Sequence, residues 1–468
     1  MNMTRTFYAS LPMLVLLGAC SSQSSAPPPS GIAPPAAWQM PTAAAQDVSF
    51  DRWWQSFGSP QLSRLVDQAR HDSHDLKAAI ARVQQAREDL RIAGAGLWPS
   101  VDGSIDAYRQ RLLRGQGYSE QDTSNSERTY HYFNTALTVS YETDFWGGKA
   151  AARNSARFAF EASQHDRDTL ELSLLGSVAD SYLQAIAARE QVRIAGLNLD
   201  NAEQVLAVAR TRFKAGSATA LELAQQQRVV ASQQRQLPLY RQQANEALVT
   251  LATLLGQPVQ ALHLEEQPFD RLSGPSIAAG VPSQLLTRRP DIASAEARLA
   301  AAQADIQVAR AALFPQLNLT ASLATGDAQA ANLLRNPVLN LSAGLTAPIF
   351  NHGRLQAERD KAVARQQELL ENYRGVIVTS FGEVEKALNS IDGLDRQAAW
   401  QRDELEQAQR AFDLAENRYR AGAEDLLSVL EAQRTLFDAQ NERVQLRRDR
   451  LQASVALYKA LGGGWRTL

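Results

Sequence analysis

One side chain in the 468 residues is a thiol, Cys20, and its position sets the chemistry open to it. It follows Leu17-Gly18-Ala19, at the end of an apolar stretch that starts at Leu11 and is preceded by Arg5. A basic start, a short apolar run and small residues before a cut describe an export signal over residues 1–19, too short to cross a bilayer as a helix. Cleavage ahead of Cys20 leaves an amine and a thiol on one residue, the substrates for N-acylation and for thioether linkage to a diacylglycerol. With no second cysteine, disulfides within the mature chain are excluded.

The segment around Cys20 resembles a bacterial lipoprotein cleavage box, and Ser21 in place of an acidic residue points to the outer membrane. Two lipid attachments anchor firmly where one chain holds only marginally. Other chemistry is sparse. His71 and His74 stand three apart on a predicted helix, a metal-binding spacing. No Glu-x-x-His companion or thiolate accompanies them, so they read as surface histidines and no metal or soluble cofactor is expected. The sequence has neither a Gly-rich phosphate loop nor a nucleophile elbow, so it reads as a non-enzyme without an energy source. With 48 basic and 50 acidic residues and a net charge of −2, it shows no footprint for nucleic acid.

The elements that carry these residues are written twice. Leu97-Trp98-Pro99 returns 216 positions later as Leu313-Phe314-Pro315, and Arg212-Phe213-Lys214-Ala215-Gly216 returns 206 positions later as Arg418-Tyr419-Arg420-Ala421-Gly422. A tandem duplication of about 200 residues is one structural plan executed twice. We divide the chain into the signal, a lipidated N-terminus and Pro/Ser/Ala-rich leash over 20–52 that should wander over the surface, a first repeat at 53–275 and a second at 276–464.

Each repeat holds two segments that alternate apolar and polar residues with period two, the signature of a half-buried strand. They cover 100–112 and 132–144, then 316–325 and 338–348. Segments of about ten residues cross an outer membrane when tilted. The intervening loop 114–128 is polar and Gly/Ser/Asn-rich, as suits an outer surface. The rest is helical and polar. Residues 149–213 and 353–419 contain no proline, and at about 1.5 Å per residue each would form a helix of roughly 100 Å. Ile377, Phe381, Val384, Leu388 and Ile391 step by four and three, the narrow seam of a coiled coil, and Leu175, Val178 and Tyr182 match it in the first repeat. Such seams predict helix-to-helix packing without a central core. Residues 60–95, 219–255, 290–313 and 425–461 complete the helical columns.

Four strands cannot close a barrel, and an open edge in lipid leaves backbone groups unsatisfied at several kcal/mol each. Copies must pool their strands, and two, three or four subunits satisfy this condition. Trp53-Trp54-Gln55-Ser56-Phe57, Arg288-Arg289-Pro290-Asp291-Ile292 and the two Arg-aromatic-x-x-Gly turns together resemble the outer membrane factor family, whose members include TolC and OprM, and within it the lipid-anchored NodT-type branch. The resemblance implies an α+β membrane protein. It would be a homotrimer with a twelve-stranded outer-membrane β-barrel continued by a twelve-helix periplasmic α-barrel. It further implies a passive efflux duct whose partners are a periplasmic adaptor and an inner-membrane pump of the proton-driven RND or the ATP-driven ABC type. A structural coiled-coil envelope lipoprotein and a type I protein or peptide secretion channel are the alternative readings.

The turns after the long helices, with Gly216 and Gly422 at the left-handed position, are where the resemblance places the function. It assigns adaptor contact to Arg212, Phe213, Gly216 and Gly422. It assigns the aperture to Leu427 and Glu431, the latter standing where aspartate is common, with Arg418 and Tyr419 as candidates for latching neighbouring helices. Leu427 and Glu431 are one helical turn apart and share a face. Leu221 and Gln225 occupy the equivalent positions of the first repeat, without an acid.

Overall fold

The computed structural model describes residues 28–40, 50–111, 129–275, 277, 279–463 and 465. The export signal, Cys20 and loop 114–128 lie outside these residues. The described residues form two compact units, one drawn from Gln84–Glu161 and Glu296–Glu371, the other from Ser30–Val83, Ala162–Ala295 and Asn372–Leu468. Each unit therefore takes material from both repeats.

The first unit contains one antiparallel sheet in the order β1-β2-β3-β4. Its strands are β1 (Ser100–Arg111), β2 (Thr129–Glu142), β3 (Gln316–Asp327) and β4 (Val338–Thr346). The register sets Leu137 opposite Leu323 and Leu323 opposite Leu339, and it sets Val139 opposite Ala321 and Ala321 opposite Leu341. Because side chains alternate across a strand, one face collects Val101, Ile105, Leu137, Val139, Tyr141, Leu319 and Leu341. The other collects Asp102, Ser104, Asp106, Asn134, Thr138, Asn318, Ser322 and Asn340. Among the described residues β1 and β4 are each hydrogen-bonded to one neighbouring strand only, so the sheet has two open edges.

Aromatic residues and a cap set where the strands give way to helices. β2 ends two residues earlier than expected because Asp144 turns to accept from the backbone N–H groups of Lys149 (3.0 Å) and Ala150 (2.8 Å). A carboxylate at these unsatisfied donors starts the helix and faces its positive end. Trp146 stacks on Phe314 at 4.6 Å and donates to the Pro315 carbonyl at 2.7 Å, joining the two repeats at this junction.

The long helices are α3 (Gly148–Lys214) and α7 (Arg354–Arg420), each 67 residues. The shorter helices are α1 (Pro60–Asp72), α2 (His74–Ala95), α4 (Ala220–Leu254), α5 (Pro282–Arg288), α6 (Pro290–Ala311) and α8 (Leu426–Ala460). The single helix expected over 60–95 is two. Ser73 leaves the helical conformation (φ −54°, ψ 124°), closing α1 through its N–H to the Ala69 carbonyl. Its hydroxyl accepts from the Leu76 N–H (3.4 Å) at the start of α2, and the turn after α4 packs closely here, since a Cβ at Gly256 would stand 2.7 Å from the Asp72 carbonyl oxygen.

The second unit corrects the expectation of seams without a core. Ile377, Val384 and Leu388 are buried. Val384 and Leu388 do not stop at a neighbouring helix; with Leu175, Val178 and Tyr182 they enter a cluster that also takes in Trp53, Trp54, Phe57, Leu251, Leu285 and Tyr458. Phe381 and Ile391 pack against its margin. Trp53 stacks on Tyr458 at 5.2 Å. At its edge Arg289 binds Asp291 through two nitrogens (2.9 and 2.7 Å), Glu383 (2.6 Å) and the Ala460 carbonyl (3.0 Å), tying α6, α7 and α8 together. Its burial is compensated because every arm of the guanidinium facing this site has an acceptor.

The described part of the leash, 28–40, does not wander. Arg374 donates to the Ser30 carbonyl (2.8 Å), the Trp38 indole donates to the Gly280 carbonyl (2.9 Å), and the Gln39 N–H donates to Glu385 (2.9 Å). Trp38 meets Phe381 edge-on at 6.3 Å. Composition suggested a solvated linker; one tryptophan and four prolines give this stretch an apolar body with low chain entropy to lose.

Candidate functional site: the paired helical turns

Both long helices end in the same backbone motif. In the first turn Gly216 (φ +75°) donates to the Phe213 carbonyl (3.0 Å) and Ser217 donates to that of Arg212 (2.9 Å). In the second, Gly422 (φ +79°) donates to the Tyr419 carbonyl (3.0 Å) and Ala423 to that of Arg418 (2.9 Å). These bonds satisfy the last carbonyls of each helix, and the positive φ is the reason for glycine. A cap restarts the chain each time. Thr219 and Glu222 form a reciprocal capping box at α4. At α8, Asp425 accepts from the N–H of Ser428 (3.0 Å) and from its hydroxyl (3.1 Å), bonds that hold its carboxyl below the ordinary aspartate value.

The side chains break the symmetry. Arg212 crosses from the first turn to the second, donating to the Tyr419 carbonyl at 2.8 Å with its guanidinium 4.5 Å from the Tyr419 ring centroid. Tyr419 is 1% exposed, packed with Phe412, Leu426, Val429 and Leu436. Its hydroxyl has no partner among the described residues, and burial pushes its pKa up. Arg418, the repeat equivalent of Arg212, stays within its own turn and pairs with Glu424 at 3.2 Å on an exposed surface. Phe213, the equivalent of Tyr419, is 41% exposed.

Within the chain Arg212 holds Tyr419 across the two turns, while among the described residues Arg418 makes no such link. The repeated Arg-aromatic pair marked the residues, but nothing in one sequence says which arginine reaches across. Leu427 is 60% exposed, Glu431 is exposed one turn further along α8, and Glu431 has no ion-pair partner among the described residues. Leu221 is exposed likewise and Gln225 is half-buried.

Elsewhere, His71 meets Asp72 at 2.7 Å, and among the described residues no group of three or more His, Cys, Asp or Glu side chains is placed to hold a metal ion. Asp180, missed by motif reading because it lies mid-helix in α3, has its pKa pushed up to about 6 by burial, with Lys459 pulling the other way. No described helix is long and apolar enough to cross a membrane.

A sheet of membrane-length strands with one apolar face, joined to 67-residue helices that return through capped turns, defines an outer-membrane channel protein. The sequence pattern of the family described as "Outer membrane efflux protein" matches residues 65–257 and 281–463, and the chain belongs to that family. It is similar to the "Pyoverdine export outer membrane protein OpmQ" of Pseudomonas aeruginosa, with 60% identity over 454 residues, covering 97% of this chain and 96% of that protein. It is 31% identical to the "Cation efflux system protein CusC" of Escherichia coli over 425 residues, 90% of each chain. Among solved structures, a CusC crystal structure superposes with a TM-score of 0.80 at 30% identity, covering 91% of this chain and 100% of that one. The outer-membrane channel OprN superposes with a TM-score of 0.84 at 26% identity, covering 94% and 99%.

The protein is the outer-membrane component of a tripartite efflux system, a homotrimer that pools its strands into one barrel and its helices into a periplasmic one. This pooling satisfies the open edges of β1 and β4. The apolar sheet face with Leu137, Leu319 and Leu341 thus meets lipid and the Asp/Asn/Ser face lines the duct. A periplasmic adaptor and an inner-membrane pump complete the system.

Proposed function

We propose that this channel exports a pyoverdine-class peptide siderophore through an aperture ringed by Leu427 and Glu431, from a chain held to the membrane by lipid on Cys20, and that it catalyses no reaction. The observation that carries the cargo is a gap in similarity. Identity is 60% and 55%, over 97% of this chain, to two Pseudomonas proteins named for pyoverdine export. It falls to 30–31% for relatives named for solvents, toluene, cations or antibiotics. The test is complementation of a P. aeruginosa strain lacking OpmQ. Restored pyoverdine fluorescence in the medium, with clearance from the periplasm, is expected; continued periplasmic retention despite correctly assembled channel contradicts the assignment.

At the aperture, threefold symmetry turns Leu427 into an apolar constriction that can dewet and Glu431 into a carboxylate ring one turn away. Glutamate in place of aspartate keeps the charge on a longer arm. The closed arrangement is held by the bond from Arg212 to the second turn. An adaptor that binds the turns more tightly once that bond is broken shifts the population toward open. Leu427→Ala and Glu431→Ala each raise resting conductance in planar bilayers; unchanged conductance in both would remove the gate from these residues. Cys20→Ser abolishes incorporation of radiolabelled palmitate, whereas continued labelling would place the lipid elsewhere.

A further inference from the structure

Beside the aperture residues lies a cavity of about 500 Å³ between α4 and α8. Its walls are two stripes at helical spacing. Gln225, Arg228 and Gln236 come from α4, and Glu431, Arg434 and Asn441 from α8. Arg228 and Arg434 are separated by 206 positions, the offset that relates the two turns, so they are one residue of the ancestral repeat brought to one space. Glu431 and Asp438 also line the wall, yet no ion pair joins either to these arginines among the described residues.

Gln433 supplies an independent sign of an occupant. It lines the same cavity and is 1% exposed, and neither its amide nitrogen nor its amide oxygen has a hydrogen-bond partner among the described residues. A buried carboxamide with both ends unmet costs free energy until something donates to and accepts from it. A peptide group does both at once. Guanidinium forks suit carboxylate or other paired oxygens, and the further carboxamides of Gln225, Gln236 and Asn441 extend the peptide-like surface. Two acids in the wall keep the cavity near neutral, which favours a molecule carrying amides as well as acid groups over a bare inorganic anion.

We propose that the α4–α8 cavity is a binding subsite for acidic peptides, in which Arg228 and Arg434 take acid groups and Gln433 takes a peptide unit, so that cargo is held next to the aperture before passage. The proposal rests on the cargo reading above only for the identity of the peptide. The test uses purified full-length trimer in nanodiscs and fluorescence anisotropy with two labelled hexapeptides, one alternating glycine with aspartate and one alternating glycine with lysine. The aspartate peptide binds, its Kd rises at least tenfold in Arg228→Gln/Arg434→Gln, and Arg228→Lys/Arg434→Lys recovers part of the affinity. Gln433→Leu, which replaces an unmet amide by an apolar side chain and keeps the fold, weakens binding about threefold. Equal binding of the aspartate peptide by parent and Arg228→Gln/Arg434→Gln overturns the subsite, as does equal affinity for the lysine peptide. Secretion separates the two claims. If the complemented strain retains pyoverdine while the arginines still govern peptide binding, the cargo assignment falls and the subsite stands; if Arg228→Gln/Arg434→Gln secretes pyoverdine at the parental rate, the reverse holds.

Discussion

The two helical turns share a backbone and differ in almost every side-chain contact. Gly216 and Gly422 take the same left-handed conformation and close the same pair of hydrogen bonds. Yet Arg212 reaches out of its turn to Tyr419, while Arg418 stays within its own and pairs with Glu424. Phe213 is exposed where Tyr419 is buried. Duplication therefore preserved what the helix ends require, satisfied carbonyls and capped N–H groups, and left the side chains free to diverge. The second turn became the packed one, next to Leu427 and Glu431, and the first became the one that holds it.

That asymmetry predicts a graded series. The largest effect comes from Tyr419→Ala, which empties the cluster of Phe412, Leu426 and Val429 and costs about 3 kcal/mol or more. It appears as a lower melting temperature of the trimer and a raised resting conductance. Phe213→Ala, the same change in the other turn, costs under about 1 kcal/mol because little burial is lost; equal losses from the two substitutions would erase the distinction. The caps should be alike where the side chains are not. Thr219→Ala and Asp425→Ala each remove an oxygen that accepts from the first turn of a helix, so both loosen that turn, read as faster amide exchange at the start of α4 and of α8. Tyr419→Phe is the smallest change. It removes a hydroxyl that has no partner among the described residues, so stability should stay level or rise slightly, and a clear loss would mean that the hydroxyl is bonded in the trimer.

Much of this architecture was legible in the sequence for physical reasons that operate within a few residues. Alternation located all four strands within three residues at each end, because a sheet with one apolar face cannot shift register without turning every side chain over. The long helices were legible from an absence of proline, and the turns from glycine behind an Arg-aromatic pair. What escaped was assembled at long range. The core that overturned the coreless seam draws Trp53, Tyr182, Leu285, Val384 and Tyr458 from five separate segments, and no window of sequence contains it. The close approach of Gly256 to Asp72, and the docking of Trp38 on Gly280 and Phe381, depend on partners distant in the sequence. The same limit applies at the site. Leu427 and Glu431 were readable as one face of a helix, whereas the choice between Arg212 and Arg418 as the crossing arginine required the two turns side by side.

Arg212 is the link between the turns, and Arg418 is its built-in control. Resting single-channel conductance of Arg212→Gln and Arg418→Gln trimers in planar bilayers tests this directly. Arg212→Gln loses a charge-assisted bond to a carbonyl and a cation–π contact, so its closed state should leak well above the parent. Arg418→Gln loses an exposed ion pair worth little and should conduct like the parent. Parental conductance in Arg212→Gln, or a larger increase in Arg418→Gln, would contradict the role of Arg212 as the strap that keeps the channel shut.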